Sequence, residues 1–170
     1  MNKVITIFAF LFLLGNFSFA QSSDDEVFVR KGKVLVETGY NIVGGISNST
    51  GTNIQLDFDG GSITALGVDM GIMLSNNFAL KFKLGLLSGS GISVTNITGG
   101  VKYYAGGRVP IELTAGILDG GPGSSTFSAG LKFGYAANLA QNITLEPAIG
   151  FLILDDEAAL NFGVTFGLFL

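Results

Sequence analysis

The sequence predicts an all-β fold, an eight-stranded antiparallel up-and-down transmembrane β-barrel, and three observations lead to this prediction. Apolar residues alternate with small or polar residues along eight segments, a period typical of β-strands. The mean hydropathy is +0.53. After Ala20, however, no apolar run approaches the ~20 residues that a membrane-spanning helix needs. The segment Leu160–Leu170 carries the alternation to the last residue, which is typical of a barrel wall that faces lipid.

The first twenty residues have the pattern of a cleaved signal peptide. Lys3 supplies a positive charge, Ile5–Leu14 is apolar apart from one threonine, and small residues stand at Ser18 and Ala20. We therefore expect secretion, with cleavage after Ala20. The alternative is a helical membrane anchor, for which the apolar run is short. No cysteine follows the cleavage site, which excludes a lipid-modified N-terminus.

The remaining chain is long enough for one domain. Residues 21–33 contain charged clusters with little periodicity, and we expect a flexible or loosely docked periplasmic leader segment there. Residues 34–170 form the predicted barrel. Its eight strands are expected at 34–42, 66–74, 78–86, 94–104, 111–117, 127–135, 143–151 and 160–170. Short turns are expected at 75–77, 105–110 and 138–142.

Two of these strands carry an irregularity. In the fourth strand Val94 fits one alternating register, whereas Val101 and Tyr103 fit the other, so a β-bulge at Gly99–Gly100 is expected to correct the slip. In the seventh strand Pro147 lacks a backbone donor and requires a bulge or a locally open pairing.

The polarity of the two strand faces indicates which one points outward. One face of every strand carries large apolar residues, and the other carries small or charged ones. The small residues include Gly39, Gly67, Gly71, Gly85, Gly116, Gly130, Gly134, Gly150, Gly163 and Gly167. Eight strands enclose a narrow interior that the large side chains could not all enter. The apolar face therefore points outward, toward lipid, whereas a soluble lipocalin-like barrel would show the opposite polarity.

Charged residues of the inner face are balanced in sign. The predicted lumen residues are Glu37, Asp69, Lys81, Lys83, Lys102, Glu112, Lys132 and Glu146. Buried charges require partners, so we expect a structural ion-pair network that plugs the lumen. Two alternatives are a polar path for an ion or small solute and a catalytic use of paired carboxylates.

Acidic residues also gather in the predicted outer loops, where no lysine or arginine occurs. They are Asp57, Asp59, Asp119, Asp155, Asp156 and Glu157. A solvated acidic surface explains them, and the alternative is contact with divalent cations of an anionic outer leaflet. The stretch Asp57–Gly60 only partly matches a calcium loop, because it lacks later ligands of that motif.

Several kinds of chemistry are disfavoured by composition. The chain has no histidine and no cysteine, so Ser-His and Cys-His nucleophiles and the usual zinc sites are excluded. The formal net charge of −4 argues against nucleic-acid binding. We expect no enzymatic activity, no cofactor and no metal site.

The stretch Ala65–Leu80 resembles the strand-turn-strand signature of small outer-membrane β-barrel proteins, the porin-like barrel family of Bacteroidetes-type bacteria. The signal peptide and the terminal strand are similar as well. The resemblance implies that the barrel-assembly machinery reads the terminal strand, which usually ends on an aromatic residue. The outward residues of that strand are Phe162, Val164, Phe166, Leu168 and Leu170, and Phe169 is expected to point inward and cap the lumen.

The functional prediction is an integral outer-membrane protein of a Gram-negative bacterium with a plugged polar lumen. Its expected partners are the lipid bilayer, outer-leaflet lipids and, during biogenesis, the barrel-assembly machinery. A structural or surface-interaction role with an unknown surface partner is favoured. A narrow pore for ions or small solutes is the second hypothesis, and a soluble lipocalin-like carrier is the third.

Overall fold

The strands of the barrel are longer than the sequence alternation predicts. A computed structural model describes residues 30–43, 46–50, 56–58, 61–89, 92–121, 125–154 and 157–170. In this part of the chain the strands are β1 (Val34–Val43), β2 (Ile46–Thr50), β3 (Leu56–Phe58), β4 (Gly61–Met73), β5 (Phe78–Gly89), β6 (Ile92–Ala105), β7 (Val109–Asp119), β8 (Ser125–Gly134), β9 (Ala137–Ala140), β10 (Ile143–Leu154) and β11 (Glu157–Phe169). No described helix is long and apolar enough to cross a membrane.

The sheet closes on itself. Each strand from β4 to β8 pairs with the next antiparallel, followed by β10 and β11, and β11 returns to β1. Closure is completed where Val34–Glu37 of β1 pairs with Asp69–Ile72 of β4. The fold is therefore the predicted all-β, closed eight-stranded antiparallel barrel. The short β2 and β3 pair with β1 and β4, and β9 continues the line of β8.

Pro147 lies at a local opening of the ladder, as predicted. Pairing between β8 and β10 stops at Gly134 opposite Ala148. It resumes with Ala137 of β9 opposite Leu145. Between these points the backbone N–H of Tyr135 still donates to the carbonyl of Pro147, at 3.0 Å. The strand thus accommodates the missing donor without a change of register.

The bulge predicted at Gly99–Gly100 is wrong. Pairing of β6 with β5 and with β7 continues through both glycines without a shift. Val94 lies in the same alternating set as the buried Lys102 and Tyr104, toward the other end of the strand. The apolar Val94, near the end of an inward-facing row, had suggested a shift in register. The backbone pairing of β6 shows no such shift.

Three short turns and both ends of the described chain lie at one end of the barrel, named the terminal end below. The turns are Leu74–Asn77, Gly106–Arg108 and Gln141–Asn142. The third turn is shorter than predicted because Asn138–Ala140 belongs to β9. In the second turn Gly106 and Gly107 have φ of 58° and 77°, which glycine adopts without strain.

The opposite end is named the loop end, and its connections are short except for the first. Asp57, Asp119 and Glu157 belong to β3, β7 and β11 rather than to loops, which corrects the prediction for these acids. The strands extend further toward this end than the apolar alternation does, because backbone pairing does not require apolar side chains. Asp59, Gly60, Asp155 and Asp156 lie outside the described residues, so the calcium-like stretch is described only at Asp57 and Phe58.

The outward rows of the barrel are apolar and exposed. The centre of the outward row of β7 is Leu113, which is 56% exposed, and Phe82 of β5 is 49% exposed. The terminal strand follows the same rule, with Phe162 at 50% and Phe166 at 48%. The inward glycines of the same strands are half-buried or buried wherever the structure describes them. The outward and inward faces therefore alternate as the sequence predicts.

Candidate functional site in the lumen

Apolar side chains fill the lumen at the terminal end. Six of them, named the terminal layer, are only 0–4% exposed: Leu35, Met73, Ala79, Tyr104, Ala136 and Phe169. The ring of Phe169 packs on that of Tyr104 with centroids 6.3 Å apart. Phe169 thus lies inside the barrel near its rim, as the sequence predicts. Leu35, Met73 and Tyr104 were not predicted as lumen residues, because they are large residues on the face that elsewhere carries small or charged side chains.

Arg30 closes this layer from the N-terminal side. Its guanidinium lies over the rings of Tyr104 and Phe169, at 4.5 Å and 4.7 Å from their centroids. The residue is 5% exposed. The backbone that follows is fixed to β4, because Gly32 donates to the carbonyl of Met73 at 2.8 Å and Met73 donates back to Lys33 at 2.9 Å.

The segment Arg30–Lys33 is therefore docked against the barrel rather than loosely attached. The remainder of the segment 21–33 lies outside the described residues. The position of Arg30 was not predicted. One signal in the sequence was available, since an arginine four residues before the first strand can fold back to meet aromatic residues at the barrel rim.

Lys102 lies at the centre of the deeper charged contacts. Its ammonium donates to Glu37 and to Glu146, and the exposed fraction of all three side chains is 0–2%. The other oxygen of Glu146 accepts from the hydroxyls of Tyr104 and Thr144, each at 3.0 Å. Both oxygens of Glu146 thus have hydrogen-bond donors, as a buried carboxylate requires.

Lys81 connects the deeper contacts to those nearer the loop end. Its ammonium binds Glu37 and also contacts Asp69 and Glu112, each at 3.1 Å. Glu37 and Asp69 lie directly opposite each other at the β1–β4 junction. Two like charges at such a position repel, so the shared ammonium of Lys81 is needed to hold them together.

Glu112 receives three ammonium groups. Besides Lys81, it accepts from Lys83 at 2.5 Å and lies 3.5 Å from Lys132. Lys83 also contacts Asp69 at 3.3 Å. The side chains of Lys83 and Lys132 are 13% and 17% exposed, whereas that of Glu112 is 2% exposed.

All eight lumen residues predicted from the sequence therefore lie in one connected set of contacts, named the charge layer. Four carboxylates face four ammonium groups. Cross-strand register brings several of them side by side, as in the row Lys102, Glu112 and Lys132 of β6, β7 and β8. No group of carboxylates in the described part of the chain has the arrangement of a metal site.

The terminal strand β11 lies at the seam of the barrel, where it pairs with β1. It pairs with β1 from Leu35 opposite Phe169 to Val43 opposite Asn161. The last residue continues this contact, because Leu170 donates to Val34 at 2.8 Å and accepts from it at 3.1 Å. The outward residues of this strand are half-buried or exposed.

Replacement of Arg30 by methionine is expected to lower the free energy of unfolding by about 1–2 kcal/mol, because two contacts of a buried cation with aromatic faces are lost. The measurement is guanidinium-induced unfolding of the folded barrel in detergent. Lys31→Met is the matched control, since Lys31 is exposed. Equal stability of the two variants would contradict the proposed contribution of Arg30.

Comparison with known proteins shows similarity of fold. No protein-family model matches the chain, and no curated protein matches it. Among solved structures, the N-terminal β-barrel domain of Pseudomonas aeruginosa OprF has a TM-score of 0.55 at 11% identity, covering 82% of this chain and 98% of that domain. Yersinia pestis Ail, solved in a phospholipid nanodisc, has a TM-score of 0.49 at 11% identity, and the match covers 82% of this chain and 100% of that chain. OprG of Pseudomonas aeruginosa has a TM-score of 0.47 at 10% identity, and the match covers 86% of this chain and 99% of that chain.

Of these three structures, the barrel domain of OprF supports the conclusion about the fold, because its TM-score is above 0.5. At 11% identity the similarity concerns the fold alone. The chain therefore has the eight-stranded barrel architecture of small outer-membrane proteins.

Proposed function

We propose that this protein is an integral outer-membrane β-barrel of a Gram-negative bacterium, with a lumen closed by its own side chains and a structural or surface-interaction role. The signal peptide predicted at 1–20 directs it out of the cytoplasm, and the barrel-assembly machinery inserts it by way of the terminal strand. The finer family assignment, to the porin-like barrels of Bacteroidetes-type bacteria, is part of the same proposal.

The outward rows of apolar side chains carry the proposal. Large apolar residues exposed by 36–61% occur on every one of the eight barrel strands. A monomeric soluble protein rarely exposes contiguous apolar surface of this extent. Hydrocarbon tails cover such a surface without cost, and the closed sheet leaves no unpaired edge in lipid. This polarity also argues against the soluble carrier.

Two consecutive layers of side chains support a closed lumen. The terminal layer and Arg30 are at most 5% exposed. The charge layer above it contains ammonium and carboxylate groups in direct contact, and ions crossing the barrel would have to separate them. A barrel with eight strands has little interior space beyond its side chains. A catalytic use of the carboxylates is disfavoured, because each of them is held by lysine.

The test of membrane insertion is fractionation of cells followed by gel electrophoresis with and without heating. The chain is expected in the outer-membrane fraction, with a mobility that shifts on boiling because the barrel stays folded in cold detergent. Recovery of a monomeric chain from detergent-free buffer would contradict the proposal.

The test of the closed lumen is planar-bilayer recording with the purified barrel. We expect no reproducible single-channel steps, and Arg30→Ala serves as the comparison variant because it removes the side chain at the terminal end. Regular steps from the unmodified chain would favour the narrow-pore hypothesis instead.

A further inference from the structure

We propose that the terminal end of the barrel binds anionic phospholipid headgroups, such as that of phosphatidylglycerol, in the membrane leaflet that surrounds it. The binding surface, named the basic rim, consists of Lys31, Lys33 and Arg108. The inference rests on the membrane-spanning barrel proposed above. It goes beyond that barrel because it specifies the charge of the lipid and the side chains that bind it.

Positive charges outside the lumen are confined to one end of the barrel. Apart from Lys3 of the predicted signal peptide and the lysines of the charge layer, every lysine and arginine is in the segment Arg30–Lys33 or in the second turn. Among the described residues, the acids outside the charge layer are Asp57, Asp119 and Glu157, and all three lie at the loop end. The described surface is therefore basic at the terminal end and acidic at the loop end.

The cations of the basic rim are exposed and lie along one arc of the barrel. The backbone N–H of Lys31 donates to Oδ1 of Asn76 in the first turn, at 3.3 Å. The carbonyl of Asn77, the next residue of that turn, accepts from the backbone N–H of Tyr104 at 2.8 Å. Tyr104 is near the end of β6 and leads into the second turn, which contains Arg108. Neighbouring turns thus bring the positive charges to the same stretch of the rim.

Two outward tyrosines mark the level of the headgroups next to the basic rim. Tyr103 of β6 is 47% exposed, and Tyr135, directly after β8, is 40% exposed. Tyr103 lies opposite Phe78, the first residue of β5, so it is at the terminal end of its outward row. Tyrosine is enriched at membrane–water interfaces, because its ring is apolar and its hydroxyl is polar. The turns extend beyond these rings, toward the water side of the interface.

An anionic phospholipid suits this arrangement better than a zwitterionic one. Ammonium and guanidinium groups form charge-assisted hydrogen bonds with phosphate oxygens, and the attraction to an anionic surface increases with each neighbouring cation. Phosphatidylcholine carries its own ammonium group, which offsets the attraction of its phosphate. In the described part of the chain, no acid outside the charge layer lies at the terminal end, so a headgroup there meets a surface of one sign.

The acids of the predicted leader segment are a competing partner for the basic rim. Asp24, Asp25 and Glu26 precede the first described residue by a few positions and lie outside the described part of the chain. The exposed rings of Tyr103 and Tyr135 favour lipid, because a phospholipid covers these rings as well as the cations. An acidic segment would satisfy the charges alone. The experiment therefore includes a variant of these acids.

The experiment measures which lipids the barrel holds in liposomes. Phosphatidylglycerol and phosphatidylcholine, each with a spin label on an acyl chain, are added in turn to phosphatidylcholine liposomes that contain the folded full-length barrel. Electron paramagnetic resonance separates labels whose motion is restricted by contact with protein from labels that move freely. The test variant combines Lys31→Gln, Lys33→Gln and Arg108→Gln. The matched control combines Lys31→Arg, Lys33→Arg and Arg108→Lys, which keeps every charge.

We expect the unmodified barrel to restrict phosphatidylglycerol about two- to fourfold more than phosphatidylcholine, since only part of the surrounding lipid contacts the basic rim. The glutamine variant should restrict both lipids equally, and the charge-keeping control should retain the preference. In about 1 M salt the unmodified barrel should lose the preference as well, because the screening length falls to about 3 Å.

Equal restriction of the two lipids by the unmodified barrel would overturn the proposal, and so would a preference that persists in the glutamine variant. If the preference appears only when Asp24→Asn, Asp25→Asn and Glu26→Gln are combined, the leader occupies the basic rim and the proposal is wrong. Phosphatidylcholine reports separately on the proposed function, because a chain that does not span the bilayer restricts neither lipid. That result would contradict membrane insertion itself, whereas equal restriction of both lipids contradicts only the basic rim.

Discussion

Replacing Glu112 with glutamine is expected to lower the free energy of unfolding by about 3–5 kcal/mol, the range for breaking a buried ion pair from one side. Glu112 is in contact with Lys81, Lys83 and Lys132. The substitution keeps the shape of the side chain and removes its charge, so three ammonium groups in the lumen lose a shared partner. The measurement is guanidinium-induced unfolding in detergent micelles.

Asp119→Asn is the matched control for this variant. Asp119 is on the same strand but exposed at the loop end, where its side chain accepts a hydrogen bond from the backbone N–H of Gly121 at 2.9 Å. We expect a change below about 1 kcal/mol there. The double variant Glu112→Gln with Lys132→Gln should recover part of the loss, since neighbouring charges couple. Equal stability of Glu112→Gln and Asp119→Asn would show that the charge layer does not stabilise the barrel.

Replacing Leu113 with arginine is expected to destabilise the barrel by about 2–4 kcal/mol in a bilayer, the cost of arginine at the midplane of a membrane barrel. Leu113 is the central outward residue of β7 and is 56% exposed. In water such a substitution at an exposed position would cost little, because surface changes usually lie within about 0.5 kcal/mol. The effect therefore depends on lipid around this residue.

Asp119→Arg tests the depth dependence of that cost. It adds the same side chain at the end of the same strand, where the penalty falls to about 0–1 kcal/mol. Both variants can be compared by urea-induced unfolding from liposomes. A similar loss for both positions, or none for either, would contradict a lipid-facing surface at Leu113.

The architecture was predictable because one physical rule repeats along the chain. In each of the eight strands the large residues alternate with small or charged ones, and pairing in the closed sheet keeps that alternation in register. The terminal strand shows why this works, since Phe162 and Phe166 are exposed while Gly167 and Phe169 are buried. The alternation in the sequence indicates the direction in which each side chain points. Closure into a barrel is expected because eight such strands cannot leave an unpaired edge in lipid.

The sequence did not predict which charged side chains contact each other within the lumen. The sequence identifies Glu112 and Lys132 as inward residues, but their contacts depend on the stagger between strands, which alternation does not encode. Arg30 lies outside any alternating segment, so its position over the rings of Tyr104 and Phe169 left no periodic signal. The bulge expected at Gly99–Gly100 was wrong for a different reason, because an inward position near a barrel rim, such as Val94, can be apolar without a change in pairing.

The most direct test of the account is the environment of Leu113 in a bilayer. The chain has no cysteine, so Leu113→Cys and Asp119→Cys can each carry one nitroxide label. In liposomes the label at Leu113 should be relaxed strongly by oxygen and weakly by a water-soluble nickel chelate, and the label at Asp119 should show the reverse. Equal access of the nickel chelate to both labels would contradict a barrel whose apolar outer face lies in lipid.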